Sequence, residues 1–98
     1  MDERQALVEI IALLKRLSEA SGVSGYETQV REIVLDVFAP YADEVHTDTL
    51  GNVIAVRRGT GPEPRPAAMI ATHMDEIGLI VSEMDKGYLH FEQVGGYD

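Results

Sequence analysis

The chain contains no cysteine, which excludes disulfides, thiolate zinc sites and thiol nucleophiles together. Basic residues are scarce: eight Lys and Arg stand against 17 Asp and Glu, a formal charge of -9. Nucleic-acid binding calls for a basic stripe, so that class is not expected, and nothing supports docking on an anionic membrane surface. No apolar run approaches the ~20 residues of a membrane-spanning helix. The opening Met1-Asp2-Glu3-Arg4 also lacks the basic start and apolar core of a signal peptide. A soluble, cytoplasmic protein is the expectation. A closing element is missing too, because a strand-rich segment halts at Gly95-Gly96-Tyr97-Asp98 with neither a helix cap nor a charged tail. Although 98 residues are enough for one small domain, the pattern reads as a fragment.

What is present reads as alternating helices and strands. Leu7, Ile10, Ile11, Leu14 and Leu17 recur at the spacing of one helical face, predicting a helix over residues 3–20. Mixed charges opposite them (Glu9, Lys15, Arg16, Glu19) favour packing against a sheet over a membrane or partner surface. Ser21-Gly22-Val23-Ser24-Gly25 breaks that period, and Ser24 with Glu27 has the form of a capping box. A second helix should follow, with Val30, Ile33, Val34, Val37 and Phe38 as its stripe and Pro40 ending it by biasing Ala39 away from helical geometry. The glycine-rich turn is no phosphate cradle, lacking both the preceding strand and the spacing of such loops.

Residues 44–48 alternate as a short half-exposed strand with His46 on its polar side; Leu50-Gly51-Asn52 supplies a turn, and residues 53–56 follow as a more buried strand. Residues 59–66, rich in glycine and proline, then read as a stiff connection inside one domain. The apolar run 67–71 is too short for an ordinary helix and fits a strand buried on both faces. Beyond it, residues 78–84 and 88–94 form a hairpin around Asp85-Lys86-Gly87. Gly87 takes the left-handed position of a three-residue loop, and His90 lies on the polar face with Tyr88 and Glu92.

The most informative stretch is Thr72-His73-Met74-Asp75-Glu76-Ile77, which brings an imidazole and a carboxylate two residues apart to the end of the expected strand 67–71. Ligands of open α/β sheets gather outside such carboxyl ends. A neutral imidazole binds a transition metal through one nitrogen while a carboxylate commonly fixes the other N–H. His73 is therefore a candidate ligand and Asp75 its support. A simple hydrogen-bonded His–Asp pair explains the same residues, and a metal site needs three or four protein ligands where this motif supplies one.

From Leu13 onward the chain resembles the N-terminal part of the M42 family of co-catalytic metallo-aminopeptidases. The matching segments are Leu14-Lys15-Arg16-Leu17, Gly22-Val23-Ser24-Gly25-Tyr26-Glu27, Asp48-Thr49-Leu50-Gly51-Asn52-Val53-Ile54-Ala55, Ala71-Thr72-His73-Met74-Asp75-Glu76-Ile77-Gly78 and Gly95-Gly96. The resemblance implies an α/β fold: a partial three-layer α/β/α zinc-peptidase-like catalytic domain, two helices on a sheet, over residues 1–76. The first hairpin of an inserted β-rich dimerisation domain then occupies 77–98. It implies hydrolysis of N-terminal residues from peptide substrates by two divalent metal ions, zinc or cobalt, with His73 as a metal ligand and Asp75 counted as catalytic because it orients that histidine. It further implies homo-oligomers, dimers assembling into tetrahedral dodecamers. The bridging aspartate, the general-base glutamate and the other ligands of the family have no counterpart here, so the chain alone is expected to be inactive. Some relatives carry a cellulase label, which nothing in these residues supports. Other expectations left open are a non-catalytic fragment pairing through an exposed sheet edge, a structural α/β domain, and another metallopeptidase of the same clan.

Overall fold

The computed structural model describes residues 1–96 of the chain; the last two residues of the expected 77–98 segment, Tyr97 and Asp98, lie outside the described residues. The class is mixed α/β: two helices, a short 3₁₀ turn and two antiparallel hairpins.

Helix α1 spans Glu3–Glu19, within a residue of its expected end. Asp2 starts it from an extended conformation, its carboxylate accepting the Gln5 N–H at 2.8 Å and satisfying one of the donors that a helix start leaves free. Its apolar stripe remains open, with Leu7, Ile10, Ile11 and Leu14 each more than half exposed. The expected packing on a sheet is thus not realised, because the described residues form only two-stranded sheets.

Helix α2 spans Thr28–Phe38 with Glu27 at its N-cap and no side-chain capping bond. The expected capping box is corrected here: the Glu27 carboxylate accepts the Gly25 N–H at 2.8 Å instead of reaching Ser24. A competing donor two residues back takes the oxygen that the box would use. Ala39 also stays helical, at φ -50° and ψ -45°, because Pro40 falls in the first turn of the 3₁₀ segment Ala39–Tyr41, where its missing N–H breaks no helical bond. Val30, at 5% exposure, is the buried hydrophobic residue of the described structure.

Strands β1 (Glu44–Thr47) and β2 (Val53–Val56) pair antiparallel, Glu44 opposite Val56 and Thr47 opposite Val53. His46 is exposed as expected, but β2 is less buried than its apolar sequence suggests, with only Val53 half-buried. Residues 67–71 form no strand at all, and Met69 and Ile70 are 91% and 92% exposed. A doubly buried strand needs a ladder on each side and a layer over each face; neither hairpin pairs with this run.

Strands β3 (Gly78–Asp85) and β4 (Tyr88–Val94) form the expected hairpin. Asp85 pairs with Tyr88, so the loop has two residues rather than three, and both Lys86 (φ 49°) and Gly87 (φ 84°) are left-handed. That is the type I′ geometry, whose twist matches the flanking strands. A bulge at Ser82 separates the Val81–Phe91 and Glu83–His90 pairs. Strict alternation would put Met84 opposite Leu79 and Val81. The extra residue returns it to their face, beside Leu89 and Phe91, and leaves Glu83, Asp85, Tyr88, His90 and Glu92 on the other.

Candidate functional site

His73 and Asp75 meet although no strand delivers them. Nδ1 of His73 lies 3.0 Å from the backbone carbonyl oxygen of Asp75 and 3.1 Å from its Oδ1. Both neighbours are acceptors, so the nitrogen between them must carry the proton. In the neutral ring Nε2 is then the lone-pair nitrogen, on a side chain that is 85% exposed. The chemistry therefore presents one outward-facing nitrogen donor with its tautomer fixed from behind.

A loop distant in sequence holds this segment in place. The Glu76 N–H donates to the Gly22 carbonyl at 2.8 Å, and Val23 and Glu76 form an isolated parallel bridge. Gly22 is buried against Val30, and a β-carbon there would lie 2.6 Å from Val30 Cγ2 and 3.7 Å from the Met74 carbonyl oxygen. Only glycine permits that approach. The same loop is braced by Gly25 N–H to Glu27, by Glu27 to Arg31 at 3.9 Å, and by Arg31 Nε to the Gly51 carbonyl at 2.8 Å. Helix α2 thus links the Gly22–Gly25 loop to the β1–β2 turn.

That turn is a compact unit of its own. Asp48 Oδ1 accepts the N–H groups of Leu50 and Asn52 at 3.0 and 2.9 Å, and Oδ2 accepts the Asn52 side-chain amide at 2.8 Å. These bonds, the Asn52 side-chain amide foremost, hold the Asp48 carboxyl below its ordinary pKa of 3.8. Gly51, at φ 87°, supplies the left-handed residue.

Ser24, His73, Asp75, Glu76, Ile77, Val94 and Gly95 line an open hollow of about 230 Å³. His73 and Asp75 were singled out from sequence; the structure adds Ser24 and Glu76 as polar neighbours. The clue to Ser24 was the Gly22-Val23-Ser24-Gly25 segment, which reads locally as a connector and carries no sign of what it will touch. Among the described residues no three His, Cys, Asp or Glu side chains come together as a metal cage. The residues fit a metal only to the extent of one donor, His73 Nε2, with Asp75 behind it.

Comparison with known proteins bears on what this geometry serves. A family profile described as M42 glutamyl aminopeptidase matches residues 51–98, and one described as AMPT matches residues 11–33. A lysyl aminopeptidase of Pyrococcus furiosus is 48% identical over 86 residues, 86% of this chain and 24% of its own length. The crystal structure of a TET aminopeptidase from a marine sediment archaeon, Thaumarchaeota archaeon SCGC AB-539-E09, superposes with a TM-score of 0.81 at 41% identity, covering 94% of this chain and 25% of the other. The chain belongs to the M42 peptidase family. A further solved structure, an endoglucanase by name from Thermotoga maritima, has a TM-score of 0.76 at 41% identity over 87% of this chain and 27% of its own. The M42 sequence described here spans about a quarter of the length of the relatives it matches.

Proposed function

We propose that this chain is part of a metallo-aminopeptidase that removes N-terminal residues from peptides, with His73 Nε2 as a metal ligand and Asp75 as the carboxylate that orients it. The observation that carries this reading is the placement of His73 Nδ1 between two acceptors of Asp75, at 3.0 and 3.1 Å, which leaves Nε2 as the free donor. A divalent ion supplies Lewis acidity for amide hydrolysis when bound. The chain's own contribution is to fix which nitrogen holds the proton, to aim the other outward, and to keep Ser24 and Glu76 at the rim of the hollow where a peptide end would sit.

One ligand does not hold an ion tightly. The remaining ligands, a second zinc or cobalt site and the general base belong, on this reading, to residues outside these 98, with the boundary between catalytic and inserted segments near Glu76. The complete enzyme would be a cytoplasmic homo-oligomer, dimers assembling into larger shells. The chain alone should not turn over an aminoacyl reporter with added zinc or cobalt. Chelator-sensitive turnover that disappears in His73→Ala would show it to be self-sufficient.

The ligand role is tested by titrating cobalt into the chain and following the ring signals of its three histidines. His73 should respond first, through Nε2, with His46 and His90 silent at the same concentration. Asp75→Asn should weaken that response by ~10- to 100-fold, the usual range when a ligand's supporting group is changed. Equal responses from all three rings would defeat the assignment. A second reading, a non-catalytic piece that pairs with another chain, rests on a separate observation: Leu79, Val81, Met84, Leu89 and Phe91 share one exposed face of the hairpin. Metal-independent pairing without any cobalt response would favour it.

A further inference from the structure

Sequence and mechanism leave unassigned the glycine that touches the back of the site. We propose that Gly22 is a positioning residue for the His73–Asp75 pair, a proposal that rests on the reading of that pair given above. Its carbonyl anchors the Glu76 N–H at 2.8 Å, and Glu76 directly follows the residue whose carbonyl and carboxylate both face His73 Nδ1. The anchor can sit there because Gly22 has no β-carbon. One added methyl would lie 2.6 Å from Val30 Cγ2, a distance real β-carbons do not tolerate. Val30 cannot step aside cheaply, being buried and branched at Cβ, which restricts its rotamers. Relief has to come from moving Gly22, and its carbonyl then leaves Glu76. Once Glu76 is released, the hydrogen bond that anchors the Val23–Glu76 bridge is gone, and the segment that aims two acceptors at one nitrogen loses its main polar tie to this loop.

The test uses the full 98-residue chain. In the unaltered protein the Glu76 amide should exchange with solvent markedly more slowly than those of Met69 and Ile70; equal exchange overturns the proposal without any mutant. In Gly22→Ala the histidine ¹⁵N shifts, read at one pH, should show His73 losing its preference for the Nδ1–H tautomer, with cobalt affinity falling ~10-fold. Gly61→Ala, where a β-carbon meets nothing within 4 Å, should change neither. The decisive variant is the double Gly22→Ala/Val30→Ala, which removes the colliding methyl and should restore the His73 tautomer. A folded Gly22→Ala with an unaltered His73 signal, or a folded double variant that fails to recover it, overturns the proposal. Asp75→Asn separates the two layers of argument. Because the Asp75 backbone carbonyl remains an acceptor in that variant, the reading is by cobalt affinity as well as tautomer: if neither moves, the pair itself is misread and both claims fall; if either moves and Gly22→Ala moves neither, only the positioning role fails.

Discussion

Residues 67–71 and the β3–β4 hairpin flank the same histidine and are both rich in apolar side chains, yet one is irregular and the other a seven-pair ladder. Neither sits in a core: Met69 and Ile70 are almost fully exposed, and Leu79, Val81, Leu89 and Phe91, though partly covered by their own ladder, remain more than half exposed. The difference lies in where the hydrogen-bond partners come from. The hairpin carries its own partner strand and its own turn. The 67–71 run has no pairing strand among the described residues, and apolar content alone does not organise it.

The comparison breaks most visibly at the hairpin turn. Gly87→Val places a β-branched residue at φ 84°, a conformation that costs such a side chain about 1–3 kcal/mol. Amide protection across β3 and β4 should drop sharply. Retention of that protection would mean that something other than the turn holds the ladder, and that the contrast with 67–71 has another origin.

A smaller effect is expected at the β1–β2 turn, where Asp48 plays the organising part. Its folded-state pKa is depressed, chiefly by the Asn52 side-chain amide, so its contribution is present above the ordinary value of 3.8 and is lost as the pH falls through the lower folded value. Protection of the Leu50 and Asn52 amides should therefore hold at neutral pH and fade only in strong acid. Asp48→Ala should produce the same fading at pH 7. Loss of protection already near pH 6 would remove Asp48 from that role.

The smallest effect belongs to the irregular run. Ile70→Asp, at a residue 92% exposed, should change the stability of this chain by less than about 0.5 kcal/mol in a denaturant melt. A larger loss would reveal that 67–71 is packed after all and would erase the contrast.

This division also marks what was legible in the sequence. Signals carried by near neighbours were readable: the α1 stripe gave its helix to within a residue, and the hairpin arms and the side of His90 followed from alternation. The mixed α/β class holds with them. Features decided by competition between close groups misled, as when Glu27 served Gly25 in place of Ser24, or when Ala39 stayed helical before Pro40 although α2 ends at Phe38, as expected. Features that depend on a distant partner were invisible. The strand expected at 67–71 failed on that account, since no strand among the described residues pairs with it, and the Gly22–Glu76 bond behind the His73 segment had no sequence signal. The His–Asp proximity was readable because two residues separate its members; the glycine supporting it was not, because no local pattern pairs positions 22 and 76.

The bulge at Ser82 has a consequence for how this hairpin tolerates changes in length. Losing or gaining one residue in a strand ordinarily reverses the parity of everything downstream and turns its faces inside out. Here the reversal is already built in and already cancelled: Val81 pairs with Phe91 and Glu83 with His90, with Ser82 as the surplus residue between them. Removing Ser82 would leave each remaining side chain on the side it now occupies, while removing Ile80 would carry an apolar neighbour to the other face. A one-codon deletion at Ser82 is thus silent for the faces of β3, and an alignment gap falling there would record a hairpin that kept them.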